Sequence, residues 1–273
     1  MPEHKTMIIT GASDGIGAAS AQQLQALGHE VVIVGRSPEK TAAVANRLGA
    51  PSHVADFGDL AQVRTLAAEL RDAYPRIDVL ANNAGGTFGQ ERTGDGFDKS
   101  LQVNHLAPFL LTHLLMDRLV ASQAKVIQTS SIAHRLFGRL DLDDLDNAKS
   151  WSANKVYGDG KLMNVLFTTE LHRRFHEQGV SVAAFHPGVI RTNFANDTSS
   201  LMKLVYRTPV SRLLSGVDEG GSRLSFLALG TPGQDWESGR YYESNKPGKV
   251  NPQVRDSALA QGLWERSEAL LGL

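Results

Sequence analysis

Apolar residues along this chain fall into short uninterrupted runs, separated by longer stretches in which they recur every three or four positions. The short runs predict β-strands at residues 6–10, 31–34, 53–55, 79–81, 125–129 and 180–185, with a candidate seventh strand at 240–242. Runs without polar alternation are typical of strands that are covered on both faces. We therefore expect a sheet that lies inside the molecule.

The longer stretches predict helices at residues 16–27, 39–48, 60–74, 97–119 and 155–178, and a loop with a closing helix at 251–270. Because strands and helices alternate with crossovers of this length, the pattern predicts an α/β fold. Its form is a Rossmann-like doubly wound parallel sheet of about seven strands with helices on both faces. No linker or repeat divides residues 1–273, so a single domain is expected.

Two segments interrupt this alternation. Residues 132–152 are predicted to be an insertion loop, and its acidic run is interpreted as solvated because the glycine and glutamate of a calcium loop are not in register. Residues 190–223 are rich in Ser, Thr and Arg and are predicted to form a mobile substrate lid.

Charge and composition exclude several classes of function. Lys plus Arg (28) nearly balance Asp plus Glu (29), so the surface has no general attraction for nucleic acid. The absence of cysteine excludes disulfides, thiolate nucleophiles and cysteine-ligated metals. The apolar stretch 101–116 is interrupted by polar residues and Pro108, which favours a buried helix over a membrane span. We expect a cytoplasmic protein without a bound metal.

A glycine-rich loop follows the first predicted strand and opens the first predicted helix. Glycines there permit a tight turn and close approach to a pyrophosphate, which the helix N-terminus attracts. The candidate contacts are Gly11, Ser13, Asp14, Gly15, Ile16 and Gly17. The structural alternative is a turn that merely requires glycine.

The same residues also match the G-x-S-x-G pattern of serine hydrolases, with Ser13 as nucleophile. That fold takes part of its oxyanion hole from a loop upstream of the nucleophile. Only ten residues precede Gly11, and the first strand uses them, so the hydrolase is the less favoured alternative.

The end of the second predicted strand bears on the choice of cofactor. An acid at this place would hold the ribose 2′-hydroxyl of NAD, but Glu30 and Glu39 are both misplaced. Arg36 stands there instead, and an arginine suits the 2′-phosphate of NADP(H). We expect NADP(H) to be preferred and NAD(H) to be possible. The alternatives are an ordinary surface arginine and repulsion of the phosphate by Asp14.

Tyr157 and Lys161 are four residues apart in a predicted helix and therefore share one face. A phenol is a poor base near neutral pH unless a nearby cation stabilises its ionised form. Two glycines, Gly158 and Gly160, lie inside the same helix at a cost in helix stability. They strengthen the functional interpretation of the pair, since local rules are often broken where function demands a close approach.

Several motifs occur in order along the chain at spacings that match one family. They are TGASDGIG (10–17), Asp56, NNAG (82–85), Val103-Asn104, Ser130-Ser131, Tyr157-x-x-x-Lys161, and Pro187-Gly188 with Thr192. In these motifs the chain resembles the short-chain dehydrogenases/reductases along essentially its whole length. The stretches SSIAH (130–134), KLMNVLF (161–167), HPGV (186–189) and LWERSEALLGL (263–273) are similar to the retinol-dehydrogenase-like branch.

The resemblance implies a proton-transfer role for four residues. Tyr157 would protonate the substrate carbonyl, or act as base in the oxidative direction, and Lys161 would lower the pKa of its phenol and hold the nicotinamide ribose. Ser131 would hydrogen-bond the carbonyl oxygen, and Asn104 would hold a water of the proton relay. The implied cofactor contacts are Asp56 and Phe57 near the adenine, Asn83, Ala84 and Gly85 along the adenosine, and Pro187, Gly188 and Thr192 around the nicotinamide.

The substrate expected from these roles is a small carbonyl or alcohol compound of hydrophobic character. Its candidate contacts are His134, Phe137, Trp151 and Phe194, which are mostly aromatic. For His134 a plain loop role is an equal alternative. His172 and His176 are not interpreted as a zinc site, because Arg173 occupies the place of the required glutamate.

Family members commonly pair through the helices that correspond to 97–119 and 155–178, so the resemblance implies a homodimer or homotetramer. The competing functional class is a protein of the same fold that senses dinucleotide without turnover. The presence of all four proton-transfer residues argues against it, since a sensor needs no proton relay.

Overall fold

The computed structural model describes residues 4–188 and 216–273, which contain one sheet with strand order β3-β2-β1-β4-β5-β6-β7-β8. Its strands are β1 Thr6–Thr10, β2 Glu30–Gly35, β3 Ser52–Val54, β4 Val79–Asn82, β5 Lys125–Thr129, β6 Ser181–His186, β7 Arg240–Glu243 and β8 Lys246–Pro247. All neighbours are parallel except β7 and β8. The strand order reverses between β1 and β4, which places a crevice at their carboxyl ends.

Helices connect the parallel strands. They are α1 Gly15–Ala26, α2 Pro38–Leu48, α3 Leu60–Ala73, α4 Lys99–Leu101, α5 Ala107–Leu114, α6 Met116–Ala121, α7 Ala133–Leu136, α8 Ala153–Phe175, α9 Val217–Leu229 and α10 Ser257–Leu271. Several begin at a side chain that accepts a hydrogen bond from the first turn, among them Asp59 before α3 and Ser152 before α8. The sequence thus sets these starting points locally.

Alternate residues of each central strand enter two separate hydrophobic cores. On β1, Ile8 packs with side chains of α3, α5, α8 and α10, whereas Met7 and Ile9 pack with α1, α2 and α9. This arrangement confirms the predicted doubly wound sheet with helices on both faces. The eighth strand was not predicted. It has two residues and pairs with β7 through a turn in which Ser244 and Asn245 both have positive φ, at 49° and 61°.

The single helix predicted at 97–119 is wrong in detail. Asp98 caps the start, a π-helical turn occupies Gln102–Leu106, and the helical path changes again at Leu115 between α5 and α6. A π-turn adds one residue to the helical repeat, so a search for regular periodicity merges these pieces.

The lid predicted at 190–223 is also wrong over its last part. Residues 217–223 begin α9, which packs on α1, and the hydroxyls of Ser20 and Ser225 lie 3.0 Å apart between the two helices. The remainder of that segment, 190–215, lies outside the described residues. The predicted insertion loop 132–152 contains α7 and a short 3₁₀ turn at Leu142–Asp144.

The C-terminal helix α10 covers the outer faces of α5 and α8. Trp264 lies with its ring centre 4.8 Å from that of Phe109 on α5, and it stacks on Phe167 of α8 at 5.6 Å. His105 Nε2 and Ser267 Oγ are 2.8 Å apart under the same helix. The chain itself therefore covers part of the apolar surface of the helices from which a homodimer or homotetramer was expected, and the oligomeric state stays a prediction.

No helix among residues 4–188 and 216–273 is long and apolar enough to cross a membrane. In the same two ranges, no group of three or more His, Cys, Asp or Glu side chains could hold a metal ion. His172 Nδ1 instead lies 2.9 Å from the Ser238 hydroxyl, which gives this histidine a structural partner.

The packing of α10 predicts a large effect of Trp264→Ala. The indole is nearly fully buried among aromatic rings, so its removal should lower the free energy of unfolding by about 3–5 kcal/mol. Urea unfolding followed by circular dichroism measures this loss. Leu270→Ala, at a position of the same helix that is 38% exposed, should cost less than about 1 kcal/mol. Equal losses in the two variants would contradict the packing role.

Candidate active site

A cavity of about 450 Å³ opens at the carboxyl ends of β1, β2 and β4, where the strand order reverses. Backbone from the glycine-rich loop and from residues 84–88 forms two of its walls, and the end of β2 and residues 55–57 form the others. The lining residues are Gly11, Ser13, Asp14, Val34, Gly35, Arg36, Ser37, Lys40, Ala55, Asp56, Phe57, Ala84, Gly85, Gly86, Thr87, Phe88 and Val103. This set includes eight of the predicted cofactor contacts.

The glycine-rich loop turns sharply between β1 and α1. Gly11 has φ +66°, a conformation that side chains disfavour, and the Asp14 carboxylate accepts the Gly15 N–H at 2.7 Å. Gly11, Ser13 and Asp14 reach the cavity, as predicted. Gly15, Ile16 and Gly17 do not line the cavity. They form the first turn of α1, which begins directly after Asp14.

Asn83 has a different place from the one predicted. Its side-chain amide donates to the Thr10 carbonyl at 3.0 Å and its oxygen accepts from the Thr129 hydroxyl at 3.1 Å. The Thr10 hydroxyl accepts the backbone N–H groups of Asn83 and Ala84, each at 3.0 Å. Asn83 therefore joins the ends of β1, β4 and β5 beneath the cavity, and its neighbours Ala84 and Gly85 form the surface.

Two cations stand at the β2 end of the cavity. Arg36 directly follows β2 and is exposed, and Lys40 lies in the first turn of α2 with its ammonium 3.7 Å from the Asp14 carboxylate. Lys40 was not predicted. Its position could have been found from the sequence, because Ser37 and Pro38 mark the start of a helix. Lys40 then lies in the first turn, four residues after Arg36, and both side chains are at the same end of α2. The repulsion anticipated from Asp14 is offset by this lysine.

Lys161 lies at the opposite end of the site, where α8 crosses the end of β5. Its ammonium donates to the Thr129 carbonyl at 3.0 Å and lies 5.7 Å from the centre of the Tyr157 ring. Burial lowers the pKa of Lys161 to about 8, because the charged form has lost its hydration. Asn164, which was not predicted, donates to the same carbonyl at 3.2 Å.

Asn104 lies within the π-helical turn and is fully buried. Its amide pairs with Gly86 in both directions, accepting the Gly86 N–H and donating to the Gly86 carbonyl, each at 3.0 Å. A Cβ at Gly85 would lie 2.7 Å from Asn104 Oδ1 and 3.2 Å from Lys161 Nζ. The absence of a side chain there lets the cavity wall, Asn104 and Lys161 converge.

The two glycines of α8 mark close approaches, as predicted. A Cβ at Gly158 would lie 2.7 Å from the backbone of Phe137, and one at Gly160 would lie 3.3 Å from the Cβ of Asn104. The helix that carries Tyr157 and Lys161 is thereby pressed against the two segments that flank the site.

Ser131 follows β5 on the same side of the sheet. Its hydroxyl oxygen accepts the Ala133 N–H at 3.2 Å, and its carbonyl accepts from both the backbone and the Nδ1 of His134, at 3.1 Å and 2.6 Å. His134 itself is fully buried, so the structure favours the loop role for this residue over a substrate contact.

The other expected contacts have mixed positions. Phe137 is 42% exposed beside α8, and Trp151 is half-buried, with an indole nitrogen that has no hydrogen-bond partner among residues 4–188 and 216–273. Pro187 and Gly188 follow β6 at the carboxyl edge of the sheet. Thr192 and Phe194 lie outside the described residues.

Residues 5–202 match the family model of the short chain dehydrogenases. The chain belongs to this family. It is 40% identical to the "Putative daunorubicin C-13 ketoreductase DnrU" of Streptomyces sp. (strain C5), over 98% of this chain and 93% of that protein. It is 36% identical to human retinol dehydrogenase 13, over 98% of this chain and 85% of that protein. These relatives place this short-chain dehydrogenase/reductase in the retinol-dehydrogenase-like branch.

A solved metagenomic short-chain oxidoreductase in complex with NADP has a TM-score of 0.62 to this chain. The two are 26% identical, over 86% of this chain and 94% of that one. Family membership and these relatives make the protein an NAD(P)-dependent oxidoreductase that interconverts a carbonyl and an alcohol. The hydrolase alternative loses its support, because the matching family is that of the short chain dehydrogenases and Ser13 belongs to the glycine-rich loop that lines the cavity.

The buried ammonium of Lys161 predicts a pH-dependent stability. Between pH 8 and 10.5 the unfolded chain still binds this proton and the folded chain has released it, so a rising pH stabilises the fold. Lys161 should contribute about 3 kcal/mol to the gain in the free energy of unfolding across that window. Lys161→Met should lack this contribution and should be more stable than the parent at pH 7, since Asn164 still donates to the Thr129 carbonyl.

Denaturant unfolding from pH 7 to 10.5 measures both effects. The control is Lys125→Met, which removes a second lysine whose pKa burial lowers to about 8 and should retain the Lys161 contribution. Parallel curves for the parent and Lys161→Met would show that Lys161 is not held as a buried cation.

Proposed function

We propose that the protein reduces the carbonyl group of a hydrophobic small molecule, with NADPH as its preferred hydride donor. The observation that carries this proposal is the position of Lys161 and Asn104 directly against Gly85, which lines the cavity. The same cavity is lined by two cations, Arg36 and Lys40. An extended dinucleotide fits a cavity with backbone walls and a cationic end.

The bound nicotinamide supplies the hydride, and the residues of the chain handle the proton. Tyr157 donates its phenol proton to the substrate oxygen as negative charge develops there. Lys161 is protonated near neutral pH, since its pKa of about 8 lies above it, and its ammonium beside the ring stabilises the phenolate that remains. In the oxidative direction, the same phenolate accepts the proton from the alcohol.

Ser131 is suited to stabilise the substrate oxygen. Its hydroxyl oxygen already accepts a hydrogen bond from Ala133, which leaves the hydroxyl hydrogen to be donated outward. The Asn104 amide makes four hydrogen bonds to Gly86 and Ser100, which fix its position. A water bound next to Asn104 would return a proton to Lys161 after each turnover.

The preference for NADPH follows from the charges at the β2 end. Arg36 is exposed and can grip a 2′-phosphate through two hydrogen bonds, and Lys40 adds a second positive charge beside it. The 3.7 Å separation of Lys40 and Asp14 is that of a weak surface pair, which a phosphate can replace at small cost.

Two observations support the proposal of a hydrophobic substrate. The aromatic ring of Phe137 is exposed near the helix that carries Tyr157, and the names of the relatives describe hydrophobic substrates. Those names describe a ketoreductase of daunorubicin and a dehydrogenase of retinol. A lipophilic carbonyl compound, or the alcohol that corresponds to it, is the substrate class common to both names. A cytoplasmic location stays a prediction from the sequence.

Tyr157→Phe tests the proton-transfer role. The variant should lose carbonyl reduction by a factor on the order of 10²–10⁴, because the substrate oxygen no longer receives a positioned proton. Consumption of NADPH with a panel of lipophilic aldehydes and ketones measures this loss, and Tyr74→Phe, remote from the cavity, is the matched control. Unchanged turnover in Tyr157→Phe would overturn the mechanism. Binding of NADPH without turnover by the parent would favour the sensor.

Arg36→Ala and Lys40→Ala test the cofactor preference. Arg36→Ala should raise the KM for NADPH about 10- to 100-fold through the loss of hydrogen bonds to a charged group. Lys40→Ala should raise it about 3- to 10-fold, since an exposed point charge contributes less. The KM for NADH should change less than about twofold in both. Lys246→Ala, on β8, is the control. Equal effects on the two cofactors would remove the basis for NADPH preference.

A further inference from the structure

A histidine that the proton-transfer mechanism does not use lies directly behind the catalytic serine. His134 is the third residue after Ser131, in the first turn of α7, and none of its surface reaches solvent. We propose that His134 is a positioning residue, which fixes the backbone of Ser131 so that its hydroxyl points at the substrate oxygen. This inference rests on the proposed function and extends it to a residue outside the proton-transfer set.

Ser131 is held at its backbone carbonyl and at its hydroxyl oxygen. The His134 Nδ1 lies 2.6 Å from the Ser131 carbonyl oxygen, and the backbone N–H of His134 donates to the same oxygen at 3.1 Å. Because a carbonyl can only accept, Nδ1 carries the proton, which defines the tautomer. The serine hydroxyl accepts from Ala133 at 3.2 Å. The hydroxyl hydrogen is not used in that contact, so the hydroxyl can donate it to a substrate oxygen.

His134 is itself held from two sides. Its ring meets the Tyr241 ring edge-on, with centres 4.5 Å apart and planes at 65°. Its backbone carbonyl accepts from the Asn251 amide at 2.8 Å, and the same amide donates to the Gly138 carbonyl at 2.8 Å. The turn that carries Ser131 is thus anchored to β7 and to the segment before α10.

The other ring nitrogen of His134 argues against a purely space-filling role. Nε2 is buried and has no hydrogen-bond partner among residues 4–188 and 216–273. A buried unpartnered nitrogen is costly, and a leucine would fill a similar volume without that cost. The hydrogen bond made by Nδ1 is the feature that a leucine cannot reproduce. Residues that lower stability in this way are expected next to functional groups, where the function requires them.

Burial also keeps the ring neutral. The pKa of His134 is lowered from its usual value, first by burial and then by the charge of Arg135, against the opposing effects of the Ser131 hydrogen bond and Glu243. His186 and Tyr241 are the other titratable groups that lie near it. The lowered pKa favours the neutral ring, in which Nδ1 carries the proton that is donated to the Ser131 carbonyl.

Two substitutions separate positioning from packing. In His134→Asn, the side-chain amide nitrogen occupies nearly the place of Nδ1 and can still donate to Ser131, but the variant leaves a void. His134→Leu fills the space and cannot donate. We expect His134→Leu to be the more stable variant and to lose about 10- to 100-fold in kcat, and His134→Asn to be less stable and to keep kcat within about fivefold. The KM for NADPH should change less than about twofold in both.

A double variant tests whether the effect passes through the serine. In the background of Ser131→Ala, a further His134→Leu change should reduce kcat no more, because the group that it positions is gone. Multiplicative losses, or activity that follows thermal stability in the single variants, would overturn the proposal. Both experiments require turnover by the parent enzyme, and a parent without turnover contradicts the proposed function instead.

A readout without turnover keeps the two failures apart. Nitrogen-15 NMR of the parent, with the His134 ring signals assigned by their loss in His134→Asn, should show a neutral ring at pH 7 with its proton on Nδ1. A neutral ring with its proton on Nε2 would place a lone pair against the Ser131 carbonyl and would overturn the role of His134 even in an active enzyme.

Discussion

The hydrogen bond from the Lys161 ammonium to the Thr129 carbonyl is the contact on which the active site depends. It joins the long helix α8 to the end of β5, and it holds a positive charge where water is excluded. A buried cation is stable only when its surroundings are fixed, so the segments around it must be held closely. The amide of Asn164 on the same carbonyl, and the absence of side chains at Gly85 and Gly160, are parts of that requirement.

Much of this arrangement could be predicted from local sequence. The pairing of Tyr157 with Lys161 is a consequence of helical spacing alone, and Arg36 follows from the position at which a strand ends. The uninterrupted apolar runs predicted the positions of the parallel strands and their burial on both faces. These features depend on residues that are neighbours in the chain, so periodicity and motif spacing contain them.

Features that depend on distant parts of the chain were not predictable in this way. Helix α9 begins in a stretch with Gly220, Gly221 and Ser222, whose low helix propensity predicts a loop. The stretch is helical in the structure, where it packs on α1. The π-turn around Asn104 departs from the period that identifies helices. Asn251, more than a hundred residues from the turn that it holds, carries no local signal for that contact.

The position of α10 has a consequence for how the protein is made. Phe109 and Phe167 complete their packing only when Trp264 arrives, and ribosomes add residues in order from the N-terminus. Until residues 257–271 have emerged, a nascent chain that already contains all four proposed proton-transfer residues still exposes an aromatic surface on α5 and α8. Such a surface is one that chaperones bind and that favours aggregation during synthesis. The packing of α5 and α8 is therefore completed only after α10 has been synthesised.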